Sequence, residues 1–442
     1  MENGYVVYDG SKGTMLMQYG LEGCAEEWNL SHPDSVYNVL RSYAEAGSAY
    51  IQTNTFAANV FALAKYGLAE KQEAIIRTGV QLARRAAADT GAAVAFSAGP
   101  IGRMMLPSGD LSFDEAYRMF YDMVEIALKA GADIIHFETF TDLYELKAAV
   151  FAAKDCIRAH FGGIVSGEDG ASVPAGSFGR QQPLPLIFAT LAFEENGRTM
   201  MGDQPGACAA HLTHWGVSAV GANCSFGAER MLPVIQEMRR NTHLPIIAKP
   251  NCGLPEIIEG KTVYTQTPEA FAAACEALAE AGAVILGGCC GTSAAHIAAL
   301  SARIAQLRPQ TRPAADTAPG AGKKVDKNAP VLSVQPPDYE EDTLMDLAYE
   351  LQEQAPPVIA LWCGPSEAKT EMPRTEQYIT AVDVLGRITG ARILVGAAQL
   401  HVLEEILRKS RGTPGIWSAC PRMNWLPEAI KNRLCSEYGC DV

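Results

Sequence analysis

"AVILGGCCG", residues 283–291, runs from four apolar residues into two glycines and two adjacent cysteines. It has the shape of a buried strand that stops abruptly and hands the chain over to residues with chemistry. Seven earlier runs look alike: "YVVYDG" (5–10), "AYIQTNTF" (49–56), "AAVAFSAGPIG" (92–102), "ADIIHFETF" (132–140), "LPLIFATLAF" (184–193), "AVGANCSFG" (219–227) and "LPIIAKPN" (244–251). Amphipathic segments such as "SFDEAYRMFYDMVEIALKAGA" and "TPEAFAAACEALAEAGA" lie between them, each closing on a glycine as helix C-termini do. Eight strands alternating with helices over some 300 residues predict a (β/α)8 barrel, the TIM barrel of the α/β class. A doubly wound open sheet has the same alternation, but it spreads its strand ends along a line.

The special residues fall at the ends of these runs: Asp9, Asn54, Glu138, Cys224, Asn251, Cys289 and Cys290. In a barrel all strand C-termini converge on one face, so these residues are expected to share one site. Two adjacent thiols resist bridging, because a vicinal disulfide strains the peptide between them. A metal is the alternative. Cys224 supplies a third sulfur, 65 and 66 residues before the Cys289/Cys290 pair, a separation that only barrel closure can bridge. Three thiolates and one exchangeable position suit zinc in a catalytic role. Gly287, Gly288 and Gly291 give the backbone freedom to turn both adjacent thiols toward one ion.

Composition narrows the rest. The chain has 442 residues, a formal charge of −14 and 48% hydrophobic residues. That charge argues against a nucleic-acid partner. No apolar stretch is long enough for a membrane span, and "MENGYVVYDG" lacks the features of a secretion signal. Twelve irregularly spaced cysteines read as reduced thiols, so a soluble, cytoplasmic protein is expected. Residues 160–182, rich in Gly and Ser, read as a surface insertion before the fifth strand. Residues 311–330 lie in a Pro- and Ala-rich stretch read as a linker between a barrel over 1–310 and a small α/β domain over 331–442. Four short runs there, "APVLSVQ", "APPVIALWCG", "ARILVGAA" and "PGIWSAC", are expected strands, with helices near 340–354, 374–389 and 398–410.

"DGSKGTML", "TNTF", "GPIG", "ETFTDLYELKAA", "GANCSFG", "KPNCGLP" and "GGCCGTS" together resemble the homocysteine S-methyltransferase family, in order over about residues 4–308. The nearest likeness is to the N-terminal homocysteine-binding module of cobalamin-dependent methionine synthases. The resemblance implies a barrel whose zinc binds the homocysteine thiol. It places the zinc ligands at Cys224, Cys289 and Cys290, with Asn251 of "PNCGLP" holding the fourth position before substrate arrives. It places Asp9 and Glu138 near the amino group of the substrate, and Gly10, Asn54, Thr139 and Asn223 are the further residues expected to bind it. Cys252 departs from the usual alanine and stands close enough in sequence to compete for the metal.

The residues leave alternatives open. Asp9 also suits a turn cap. Glu138 leaves an apolar strand and needs a cationic partner, either a ligand ammonium or a nearby Lys or Arg. Asn54 orients the site or satisfies backbone groups, and His136 reads as a core histidine. The expected reaction is methyl transfer to homocysteine, giving methionine. The donor is expected to be methylcobalamin or another methylcorrinoid on a separate corrinoid protein, linked to methyltetrahydrofolate, since no "DxHxxG" cobalamin motif is present. The alternatives are a corrinoid-independent S-methylmethionine (sulfonium) donor, or a homocysteine- and zinc-binding protein without turnover.

Overall fold

In a computed structural model, the structure describes residues 4–161, 184–253, 256–258, 261–307, 331–334, 336, 341–364, 374–418, 420–438 and 440. The expected linker and nearly all of the 160–182 insertion lie outside the described residues. The chain divides into two compact units, Met1–Leu212 with Val217–Ala318, and Thr213–Gly216 with Pro319–Val442.

The first unit is the expected barrel. Its strands are β1 (Val6–Val7), β2 (Tyr50–Gln52), β3 (Ala93–Ala98), β4 (Ile134–Phe140), β5 (Leu186–Leu191), β6 (Ala219–Asn223) and β7 (Ile246–Lys249). A hairpin, β8 (Glu256–Ile258) with antiparallel β9 (Lys261–Val263), precedes the last barrel strand, β10 (Ala283–Leu286). Every barrel pairing is parallel, in the order β1-β10-β7-β6-β5-β4-β3-β2. A parallel bridge between Tyr8 and Tyr50 closes the ring.

Helices cover the outside because their sequences say where to start and stop. Ser112 caps the helix Phe113–Ala130 in a reciprocal box with Glu115, and Gly131 ends it at φ 96°. Pro268 opens the helix Pro268–Glu280 behind a Thr267 cap.

The lumen is filled rather than hollow. Tyr8, Ala95, Ile134, Phe188, Ala219, Ile247 and Ile285 form one buried cluster, with Tyr50 packed against it. Side chains two residues apart on a strand share a face. One such step toward the C-terminal end replaces this apolar layer with Gln52, Ser97, His136, Thr190 and Lys249, all buried. The barrel thus carries a polar floor directly beneath its mouth.

The second unit is a parallel four-stranded sheet of β11 (Val331–Val334), β12 (Val358–Cys363), β13 (Arg392–Ala397) and β14 (Gly415–Ile416), in that order. The helices Glu341–Gln354, Thr375–Thr389 and Leu400–Lys409 connect its strands, and Glu428–Tyr438 follows.

Candidate metal and substrate site

The three sulfurs converge. Ligand atoms of Cys224, Cys289 and Cys290 all lie within 4.8 Å of one another, and Cys224 Sγ is 3.8 Å from Cys290 Sγ. A tetrahedral zinc with Zn–S near 2.3 Å sets neighbouring sulfurs about 3.8 Å apart, so the donor set and its spacing fit this metal. Hydrogen bonds from Cys289 and Cys290 lower the Cys224 thiol to about 3, and the same contacts push the other two up.

Backbone geometry aims these thiols. Cys224 and Ser225, at the end of β6, both adopt φ 64°, a left-handed conformation uncommon for residues with a Cβ. The Cys224 amide donates to Lys249 O at 3.1 Å, which ties the β6 end to β7. After β10, the Cys289 amide donates to Pro250 O at 2.8 Å and the Cys290 amide to Asn251 Oδ1 at 3.1 Å. Asn251 also hydrogen-bonds the Cys224 sulfur, so its side chain touches two of the three cysteine segments. Cys252 turns elsewhere: its thiol lies 3.2 Å from Gln266 O and 3.0 Å from His296 Nε2, and burial pushes it up to about 11.

Thr139 sits at φ 64°, a costly conformation for a β-branched residue. Asn223 holds it there, accepting from the Thr139 amide at 2.8 Å and donating to Thr139 Oγ1 at 2.7 Å. The same Asn223 amide nitrogen reaches Cys289 Sγ at 3.8 Å, which joins the end of β4 to the sulfurs.

Glu138 and Asp9 differ in what they have left to offer. Burial pushes the Glu138 carboxyl up, while Lys249, Lys12 and the Ser97 hydroxyl draw it below the usual carboxylate range. Ser97 Oγ donates to Oε1 at 2.5 Å, and Oε2 remains for a ligand. Asp9 is fully buried and already engaged. Its Oδ1 accepts from Lys249 Nζ at 3.1 Å, and its Oδ2 accepts from the Gln52 amide at 2.8 Å and from Lys12 Nζ at 3.2 Å.

Gly10 is required by space, because a Cβ there would stand 2.8 Å from both Thr292 Oγ1 and Tyr43 Cε1. That close approach lays the β1 loop on the turn after Cys290, where Thr292 Oγ1 donates to Cys289 O at 2.7 Å. Asn54 is spent on the neighbouring loop, donating to Ala25 O at 2.7 Å and to Asn29 Oδ1 at 3.1 Å. His136 is a core histidine, buried between Tyr8, Gln52 and Thr190. Lys249, Lys12, Gln52, Ser97 and Thr190 belong to the site without having been singled out from the sequence. Counting two residues on from each lumen residue along the strands finds all of them except Lys12.

The fold is thus a (β/α)8 barrel that gathers three thiols and a buried carboxylate at its mouth. The family model for homocysteine S-methyltransferase matches residues 6–304, and the chain belongs to that family. It is 30% identical over 321 residues to the methionine synthase of Mycobacterium tuberculosis (strain ATCC 25618 / H37Rv), covering 70% of this chain and 25% of that protein. The Mycobacterium leprae methionine synthase matches at 30% over 322 residues, with the same coverage. The chain therefore spans about a quarter of the length of these curated relatives. Among solved structures, the metallated homocysteine methyltransferase MmuM of Escherichia coli aligns with a TM-score of 0.52 at 24% identity, over 68% of this chain and 96% of that one, a likeness of fold.

Proposed function

We propose that this barrel transfers a methyl group to the thiol of homocysteine, giving methionine, with zinc held by Cys224, Cys289 and Cys290. The observation that carries the reading is the convergence of three thiols from two distant strand ends, within 4.8 Å, in a mouth that also holds Glu138. Zinc bound there would supply Lewis-acid stabilisation of the homocysteine thiolate near neutral pH.

The residues of the chain do the rest. The Glu138 carboxylate takes the substrate ammonium, while Ser97, Lys12 and Lys249 keep it ionised. Asp9 pairs with both lysines and accepts from the Gln52 backbone amide, so it shapes the pocket from behind. Gly10, Thr139 and Asn223 border the amino acid. Asn251, whose side chain lies against the Cys290 amide, would be the residue to hold the fourth position of a bound zinc in the absence of substrate. The thiol releases its proton to solvent, the sulfur lone pair forms the new S–CH3 bond, and the methyl–donor bond breaks with its electron pair left on the donor. The thioether product is a weaker ligand and departs.

For the donor we favour a methylcorrinoid such as methylcobalamin, presented by a separate corrinoid protein. The support is the "KPNCGLP" motif and the 30% identity to proteins named methionine synthase. A sulfonium donor such as S-methylmethionine is the second reading. In this account residues 1–310 are the catalytic barrel, 311–330 the linker, and 331–442 a small α/β domain. No described helix is long and apolar enough to cross a membrane. The test supplies zinc-loaded protein and homocysteine with methylcobalamin or S-methylmethionine, without oxygen. Methionine formed in step with cobalamin demethylation supports the corrinoid reading. Methionine from S-methylmethionine alone supports the second, and substrate binding without turnover under either donor points to a strictly protein-bound corrinoid donor or to a binding role.

A further inference from the structure

Hydrogen-bond directions in the polar floor can be assigned one after another, starting from the lysines. Gln52 Oε1 accepts from Lys12 Nζ at 2.8 Å and from Lys249 Nζ, and an ammonium can only donate. The Gln52 amide nitrogen must then be the atom facing His136 Nδ1, at 3.1 Å, and it too can only donate. Nδ1 is consequently an acceptor, and the Tyr8 hydroxyl, 2.9 Å away, is its second donor. The ring proton therefore sits on Nε2 and is given to Thr190 Oγ1 at 3.1 Å. Thr190 in turn donates to Asn223 Oδ1 at 2.6 Å. With Oδ1 so occupied, the Asn223 amide nitrogen is the atom that faces Thr139 Oγ1 and Cys289 Sγ.

We infer that His136, locked as the neutral Nε2–H tautomer, is a positioning residue: through Thr190 it sets the Asn223 amide so that its N–H groups point at Thr139 and the Cys289 sulfur. The chain couples the Asp9–Lys249 ion pair of the barrel floor to the thiol cluster at the mouth. Burial supports the neutral ring, lowering His136 to about 3. The assignment of the tautomer stands on the donors and acceptors alone; its effect on a metal-bound sulfur rests on the zinc reading above.

Two measurements test it. In the full-length, reduced, metal-free protein labelled with 15N-histidine, the His136 resonances, identified by their loss in His136→Gln, are expected to show a protonated Nε2 and an unprotonated Nδ1, unchanged between pH 8 and pH 5. An Nδ1–H tautomer, or an imidazolium forming in that range, overturns the inference. The second measurement loads cobalt(II) and follows the thiolate-to-cobalt charge-transfer band. An N–H···S bond stabilises the sulfur electrons, so Thr190→Val, which removes the hydroxyl that links the ring to Asn223, is expected to move the band to longer wavelength at unchanged metal stoichiometry. A band that stays in place in Thr190→Val overturns the inference, whereas absence of any band in the parent protein defeats the metal reading and leaves the tautomer measurement to decide the histidine assignment.

Discussion

The ammonium of Lys249 lies 3.1 Å from Asp9 Oδ1, and both side chains are buried although 240 residues separate them in the chain. The pair joins β7 to the end of β1 across the lumen and stacks its cation over the Tyr8 ring at 4.1 Å. Removing one partner of a buried pair leaves an uncompensated charge and costs about 3–5 kcal/mol. Lys249→Met is therefore expected to lower the unfolding free energy by that amount in urea melts. The double variant Asp9→Asn/Lys249→Met should recover most of the loss, and a double variant no more stable than the single one would refute this account of the pair.

Zinc content should divide the cysteines. Cys224→Ala, Cys289→Ala and Cys290→Ala each remove a sulfur from the cluster and are expected to drop bound zinc from one equivalent to near zero. Cys252→Ala is expected to retain a full equivalent, because that thiol is engaged by Gln266 O and His296. Zinc released to a chromogenic chelator after denaturation measures all four.

Glu138→Gln keeps the shape and the Ser97 contact but removes the charge that faces the substrate ammonium. Charge-assisted hydrogen bonds contribute about 1.5–3 kcal/mol, so homocysteine binding should weaken by roughly tenfold to hundredfold. Bound zinc should not change. Calorimetric titration of the zinc-loaded variant reads the first, and chelator assay the second.

Glu145 gives a pH test of the barrel frame. It is 4% exposed and accepts from the Ile101 amide at 2.6 Å, and burial raises it to about 8. Because the folded value lies above the usual unfolded value near 4.3, the native state holds the extra proton. Stability from this group is complete below about pH 4.3 and declines as pH rises through 8, at up to about 1.4 kcal/mol per pH unit. Glu145→Gln should flatten that decline. Melting curves from pH 5 to pH 9 that fall equally in both proteins would contradict it.

Much of this architecture was legible because each strand is a short apolar run with a polar or sulfur-bearing end, as in "GANC" and "GGCCG". Those endings carry the cysteines, Asn251 and Glu138 directly. The partners of Asp9 and Glu138 were not legible, because Lys12, Lys249, Gln52 and Ser97 meet them only once the ring closes. Glu138 had an undecided cationic partner, and the fold supplies lysines nearby while leaving one oxygen for a ligand. Asn54 reads as a site residue from its place in "TNTF", yet its amide is consumed by the Ala25–Asn29 loop, which no local pattern announces. The β8–β9 hairpin has strands of three residues, too short to display a period of two.

The central claim is that the three cysteines hold zinc and leave one position for the substrate sulfur. X-ray absorption at the zinc edge, on the zinc-loaded protein before and after homocysteine, tests it most directly. The account predicts three sulfur neighbours and one lighter atom at first, then four sulfurs with homocysteine bound. A sulfur count that stays at three with homocysteine bound, or zinc bound without sulfur, would contradict it.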